Sequence, residues 1–290
     1  MALTNADPPQ TFLAISAALV AVALGLAWAA GAGMELIGCA LLAFGIQWLA
    51  FVPSDFLQDE RGFDLIGSLT YVTLMIFSLS MGEGGPRQLL VTTLVCIWAV
   101  RLGSFLFWRA ARRGGDSRFD KIKVYPARFF NVWTLQGLWI FLTAFAALIV
   151  NTAAPGEPLT LLDYVGAALW VFGFGVEVLA DAQKTAFNSD PLNKGRFINV
   201  GFWAMSRHPN YLGEMLLWTG IFLIGAGTFV GAQWLAILSP IFVIVLLTRV
   251  SGIPLLEARA DKRWGGDPDY EAYKARVPVL FPRLTPPPRG

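Results

Sequence analysis

One histidine, His208, and two cysteines, Cys39 and Cys96, are all the imidazole and thiol that 290 residues offer a metal. A four-ligand zinc site needs more, and both cysteines fall inside apolar runs, so neither a bound metal nor a disulfide framework is expected. Charge is scarce as well. Only 14% of residues are Asp, Glu, Lys or Arg, and a net charge of +2 gives no basis for binding nucleic acid. Internal repeats and low-complexity tracts are missing, which excludes solenoids and long solvated linkers.

What is abundant is apolar. The chain is 56% hydrophobic, more than a soluble domain of this length hides in one core. Its apolar runs are long enough to cross ~30 Å of hydrocarbon at ~1.5 Å per residue, whereas barrel strands would be shorter and would alternate. The expected fold is therefore an all-α polytopic membrane helical bundle, with spans near 12–32, 36–52, 63–81, 88–108, 133–150, 159–180, 211–229 and 233–250. Residues 1–62 read as a two-span hairpin and loop, 63–158 as the middle spans, and 159–290 as a cofactor-binding region, all in one membrane domain.

Basic residues set the topology. The first Lys or Arg is Arg61, so the opening run lacks the positive flank of a cleaved leader. Seven Lys or Arg lie between Arg109 and Arg128, none in the turn NTAAPGEP at 151–158, and seven follow Ser251. That bias places both termini in the cytoplasm, and a bacterial inner membrane is the expected location. The loop at 109–128 is explained by topology alone, although a basic loop of this kind also suits phosphates.

The chemistry concentrates between Glu177 and Trp218. Glu177, Asp181, Lys184 and Asn188 are spaced four, three and four apart, one stripe on a helix leaving the bilayer. A stripe of alternating sign is also the ordinary surface of a solvated helix, but Glu177 is still at membrane depth, where a carboxylate is expensive. Asn210 and Glu214 form a second stripe on the next span, which Trp218 continues. Between them, KGRFI and SRHPNY supply Lys194, Arg196, Arg207, His208 and Tyr211 around a proline-fixed turn. Cations for phosphates, amides for a carboxamide and carboxylates for hydroxyls suit an anionic cofactor rich in hydrogen-bonding groups.

GRFINVGFWAMSRHPNYLGE, preceded by D-x-x-K and followed by SGxPxLE and YxxYxxRVP, resembles the C-terminal half of the steroid 5-alpha-reductase-like membrane proteins, and its nearest branch is the bacterial group called domain of unknown function 1295. The resemblance covers about residues 163–282; the R-H-P-N-Y core alone is also similar to isoprenylcysteine carboxyl and phospholipid methyltransferases. It implies a helical membrane reductase that takes NADPH from the cytoplasmic face. Asp181, Asn210 and Glu214 match cofactor-binding positions, and Glu257, Tyr270 and Tyr273 lie in the matching tail. Two positions depart, with Glu177 where an Asn is the pattern and Asn188 where a phosphate-binding Arg is, which shifts the phosphate role to Lys184, Arg196 or Arg207.

The catalytic Glu and Tyr of those reductases find no match on the earlier spans. Depth offers Tyr71, with Asp64 about two turns away, and Arg101, about two turns from Arg109. Packing and snorkelling explain the same residues. The function these features imply is hydride transfer from NADPH to a conjugated carbon–carbon double bond of a steroid-like or other lipid-soluble substrate. Two other readings stay open: an S-adenosylmethionine-dependent methyltransferase on the same scaffold, and a non-catalytic lipid-binding or transport protein.

Overall fold

The computed structural model describes residues 8–31, 33–113, 119–153 and 158–282. Among the described residues every regular element is helical. Two compact units emerge, one from Met1–Asp163 with Ile224–Ser239, the other from Tyr164–Leu223 with Pro240–Gly290.

In the first unit, α1 (Pro9–Ala29), α2 (Gly33–Leu57), α3 (Phe63–Met81) and α4 (Pro86–Arg113) pack around α5 (Pro126–Thr152). α5 is apolar on every side, and such a helix belongs in the middle of a bundle. Phe141, Phe145, Leu148 and Ile149 on it are all fully buried.

Polar contacts pin the helix ends in register. At one end Lys123, before α5, meets Glu60, before α3, at 2.6 Å. At the other, Arg87 in the first turn of α4 grips Asp163 by two parallel bonds of 2.7 and 2.8 Å. The α2–α3 and α4–α5 junctions thus share one end, as alternating spans require. Asn151 donates to Ser78 and Thr92, both at 2.9 Å, and ties the end of α5 to α3 and α4.

The second unit is built on α6 (Leu161–Ser189) and α7 (Pro209–Ala226), followed by α8 (Leu238–Val245), α9 (Ile253–Trp264) and α10 (Pro268–Arg276). α6 and α7 approach as closely as backbones allow. A methyl added to Gly173 would lie 2.6 Å from the Gly213 carbonyl oxygen, and one added to Gly220 would lie 2.5 Å from the Gly166 carbonyl oxygen. Glycines seven apart on both antiparallel helices remove the side chains that would hold them apart.

Seven helical segments among the described residues are long and apolar enough to cross a membrane, against the eight spans expected. The shortfall is α7, whose first two turns carry Asn210 and Glu214. The last span is irregular. It runs from a 3-10 turn at Gly231–Ile237 through α8 into a π turn at Leu246–Val250. Pro240 has no N–H to donate to Ala236, which favours the tighter 3-10 winding before it.

α6 runs unbroken to Ser189, well past the expected end of its span, so the whole 177–188 stripe is helical. Parts of the expected basic loop and of the NTAAPGEP turn, at 114–118 and 154–157, and the terminal TPPPRG lie outside the described residues.

Candidate functional site

The site of the second unit starts from the α6–α7 crossing. Glu177 is 3% exposed, and its backbone nitrogen lies 2.7 Å from where a methyl on Gly213 would sit. One turn on, Asp181 accepts a hydrogen bond from the Asn210 amide at 3.2 Å, so the two stripes meet. That contact fixes which way the Asn210 carboxamide faces. The Lys184 ammonium stands 4.3 Å from the centre of the Trp203 ring, while Asn188, near the end of α6, is exposed.

The turn between the helices is anchored from three sides. The Gln183 side chain accepts from the Phe202 amide at 2.9 Å, and Gly201, at φ +59, leaves no room for a side chain beside Gln183. Trp203 donates from Nε1 to the Ala180 carbonyl at 3.0 Å and accepts on its own carbonyl from the Tyr273 hydroxyl at 2.7 Å. The backbone amides of Arg207 and His208 donate to the carbonyls of Pro278 and Val279 at 2.9 and 3.1 Å. The tail therefore holds the Arg-His turn directly.

The tail is brought there by its own local chemistry. Ser251 donates to the Leu246 carbonyl at 2.9 Å, closing the π turn, and Gly252 packs so that a methyl on it would lie 3.0 Å from the Tyr211 ring. Asp267 caps α10 by accepting from the amides of Asp269 and Tyr270, as the Asp-Pro pair predicts. Tyr270, Tyr273 and Val277 form a small core with Phe197 and Trp264. Burial pushes the Tyr273 hydroxyl up to about 12, so it stays a donor at any physiological pH.

α9 then places Glu257 against the turn. One carboxylate oxygen meets the Arg207 guanidinium at 2.8 Å, and the other meets Nε2 of His208 at 2.7 Å. His208 is 5% exposed and stacks on Tyr211, with rings 5.8 Å apart and 11° from parallel. Burial pushes the imidazole below its usual range and outweighs the pull of Glu257. A neutral ring that donates from Nε2 has a bare acceptor at Nδ1. Among the described residues neither His208 Nδ1 nor Arg207 Nε has a hydrogen-bond partner, though both atoms are buried. A buried acceptor and donor left without protein partners cost about 1–3 kcal/mol each, and a bound polar molecule relieves that cost.

The sequence-predicted residues divide by unit. Asp181 and Asn210 meet, as do Arg207, His208, Tyr211 and Glu257. Glu214 is half-buried one turn beyond Asn210, and Arg196 is exposed. Tyr270 and Tyr273 use their hydroxyls inside the protein, on Asp261 and on Trp203, and so position the turn. Asp64, Tyr71 and Arg101 belong to the first unit. There Tyr71 packs edge-on to Trp98 at 5.0 Å, and Arg101 and Arg109 both stand over the Phe105 ring, at 5.3 and 5.4 Å. Trp203 and Gln183 were not expected. Their spacing from Tyr273 and Gly201 carries no local pattern, but the seven-residue glycine spacing at the crossing was readable.

Fold and site together define an integral membrane helical protein with a buried ionic and amide cluster. The chain belongs to the family described as Protein of unknown function (DUF1295), whose sequence profile matches residues 50–277. It is 26% identical over 258 residues to an uncharacterized protein of Schizosaccharomyces pombe, covering 78% of this chain and 72% of that one. It is also 30% identical over 100 residues to a probable O-methyltransferase, ustE, of Ustilaginoidea virens, covering 34% of each. No solved structure matches the chain.

Proposed function

We propose that the chain is a membrane reductase that takes a hydride from NADPH and delivers it to a conjugated carbon–carbon double bond of a lipid-soluble substrate. The observation that carries this reading is the paired orphan atoms, His208 Nδ1 and Arg207 Nε, beside the Asp181–Asn210 contact. They make a turn with one acceptor, one donor and a fixed carboxamide in reach of several cations.

NADPH fits those residues by chemistry. Lys184, Arg196 and Arg207 offer positive charge to phosphates, and Asn210 and Glu214 offer amide and carboxylate partners to the nicotinamide and ribose ends. Bound there, the cofactor supplies the hydride. Glu257 neutralises Arg207 and holds His208 in the tautomer that leaves Nδ1 as acceptor. Reduction of an enone builds negative charge on its carbonyl oxygen, and Tyr71 and Arg101 are the proposed donor and cation for it. Tyr71→Phe or Arg101→Gln is expected to lower turnover strongly with NADPH affinity near its starting value. Parent turnover in both folded variants removes that assignment.

A second reading is favoured by the probable O-methyltransferase among the relatives. S-adenosylmethionine carries a sulfonium, an ammonium and one carboxylate but no phosphate, so it would use the carboxylates and call on fewer of the cations. Equilibrium binding to purified protein separates the two. The reductase reading requires NADPH to bind, with affinity that falls as salt rises, and S-adenosylmethionine to bind at least ten-fold more weakly. The reverse order overturns it in favour of methyl transfer.

A further inference from the structure

α9 sorts its charges by face. Its two acids lie on the side that meets the unit, where Glu257 takes Arg207 and His208, and Asp261, itself exposed, takes the Tyr270 hydroxyl and Lys274. Ile253 and Trp264, on the same side, pack into the unit or bond to it through Gly195. Leu255, Arg259 and Lys262 lie at i, i+4 and i+7, one stripe on the opposite side, with Arg263 beside it. All four are exposed, Leu255 by 49%. Among the described residues none of these three cations has a carboxylate partner within salt-bridge distance, and Arg263 stands over its neighbour Trp264 at 4.7 Å.

We propose that this outward stripe is a docking surface for anionic lipid headgroups. Two facts select a membrane surface as the occupant. α9 starts three residues after the last apolar span ends at Val250, so Leu255 begins the stripe close to the hydrocarbon boundary. A short helix that joins an apolar residue to a row of unopposed cations, next to a span, matches the chemistry of an anionic bilayer face. Withdrawal of both acids from that face removes the repulsion a mixed surface would meet. The role is independent of whether the Arg-His turn serves a reductase, and it makes the lipid composition of the membrane a partner of the tail that clamps that turn.

The test uses the purified full-length protein in detergent, given equal amounts of phosphatidylglycerol and phosphatidylcholine and examined by native mass spectrometry. Preferential retention of phosphatidylglycerol is expected, falling about five-fold per cation removed in Arg259→Gln and further in the combined Arg259→Gln, Lys262→Gln, Arg263→Gln variant. Equal retention of the two lipids by the parent overturns the proposal, as does unchanged preference in the combined variant. Displacement of phosphatidylglycerol by millimolar inorganic phosphate or NADPH also overturns it, by assigning the stripe to a soluble anion. Should the combined variant fail to fold, the single Arg259→Gln and Lys262→Gln proteins carry the same comparison.

Discussion

Two guanidinium–carboxylate pairs, one in each unit, were built to opposite specifications. Arg87 and Asp163 are 4% and 1% exposed, joined by two bonds, and Asp163 also accepts from the Thr160 amide and hydroxyl at 2.6 and 2.8 Å. The Asp163 carboxylate is thereby fully satisfied, and the pair is closed. Arg207 and Glu257 make an ion-pair contact through one oxygen, the second carboxylate oxygen goes to His208, and Arg207 Nε and His208 Nδ1 lack partners among the described residues. A closed pair can only hold structure together. A pair that leaves buried donors and acceptors spare has capacity for a ligand, at a standing cost in stability.

The largest test of this contrast removes one half of the closed pair. Asp163→Ala strands a buried guanidinium and is expected to cost about 3–5 kcal/mol, read as a loss of thermal or denaturant resistance in detergent. NADPH affinity per folded molecule should hold. A loss below about 1 kcal/mol would mean that the pair behaves like an exposed one and that the contrast is false.

Next in size comes the open site. Glu214→Gln is expected to weaken NADPH binding by about 1.5–3 kcal/mol while the protein remains folded. Unchanged affinity in a well-folded variant would take Glu214 out of the site and leave the Arg207–His208 turn to act without it.

The α6–α7 crossing supplies a sharper comparison of two glycines. Gly213→Ala drives a methyl to 2.5 Å from the Gly173 carbonyl oxygen, backbone that cannot step aside, and should cost about 1–3 kcal/mol. Gly175→Ala meets nothing within 4 Å and should stabilise α6 by about 0.5–1 kcal/mol. Equal effects on thermal stability from the two would mean the crossing is not as close as the geometry makes it.

How much of this was legible beforehand follows from range. The bundle and the helical 177–188 stripe are set by neighbours a few residues apart, and both were readable. The convergence of Asp181 with Asn210 was readable too, because both stripes flank one loop. Arg87 with Asp163 was not, since the partners are 76 residues apart and each alone passes for an ordinary charge at the end of a span. The tail motifs were seen, but not their geometry. Only folding shows that Gly252 seats the tail on Tyr211 and that Tyr273 reaches the Trp203 carbonyl. The broken last span escaped because hydropathy is blind to whether a run is wound as a 3-10, α or π helix.

The smallest expected effect is also the one most specific to the open pair. His208 is pressed by burial toward its neutral form; Glu257 opposes that, while Lys184 and Arg207 add to it, and Tyr211 covers the ring face. The folded value therefore lies below the unfolded one of 6.5. Above 6.5 both states hold a neutral ring, and the stability tied to this residue is fully present. As pH falls through that value the unfolded chain takes up a proton that the folded chain resists, so stability declines until the folded value is reached. His208→Gln should flatten that decline. Protonation of the folded ring, which comes only at that lower value, converts Nδ1 from acceptor to donor, so a ligand group that donates to it is lost where the stability decline ends. NADPH affinity in the parent should hold while stability declines and fall at more acid pH, and both pH dependences should shrink in His208→Gln. Parent and variant with identical acid profiles for both stability and affinity would show that Nδ1 is not the acceptor the ligand uses.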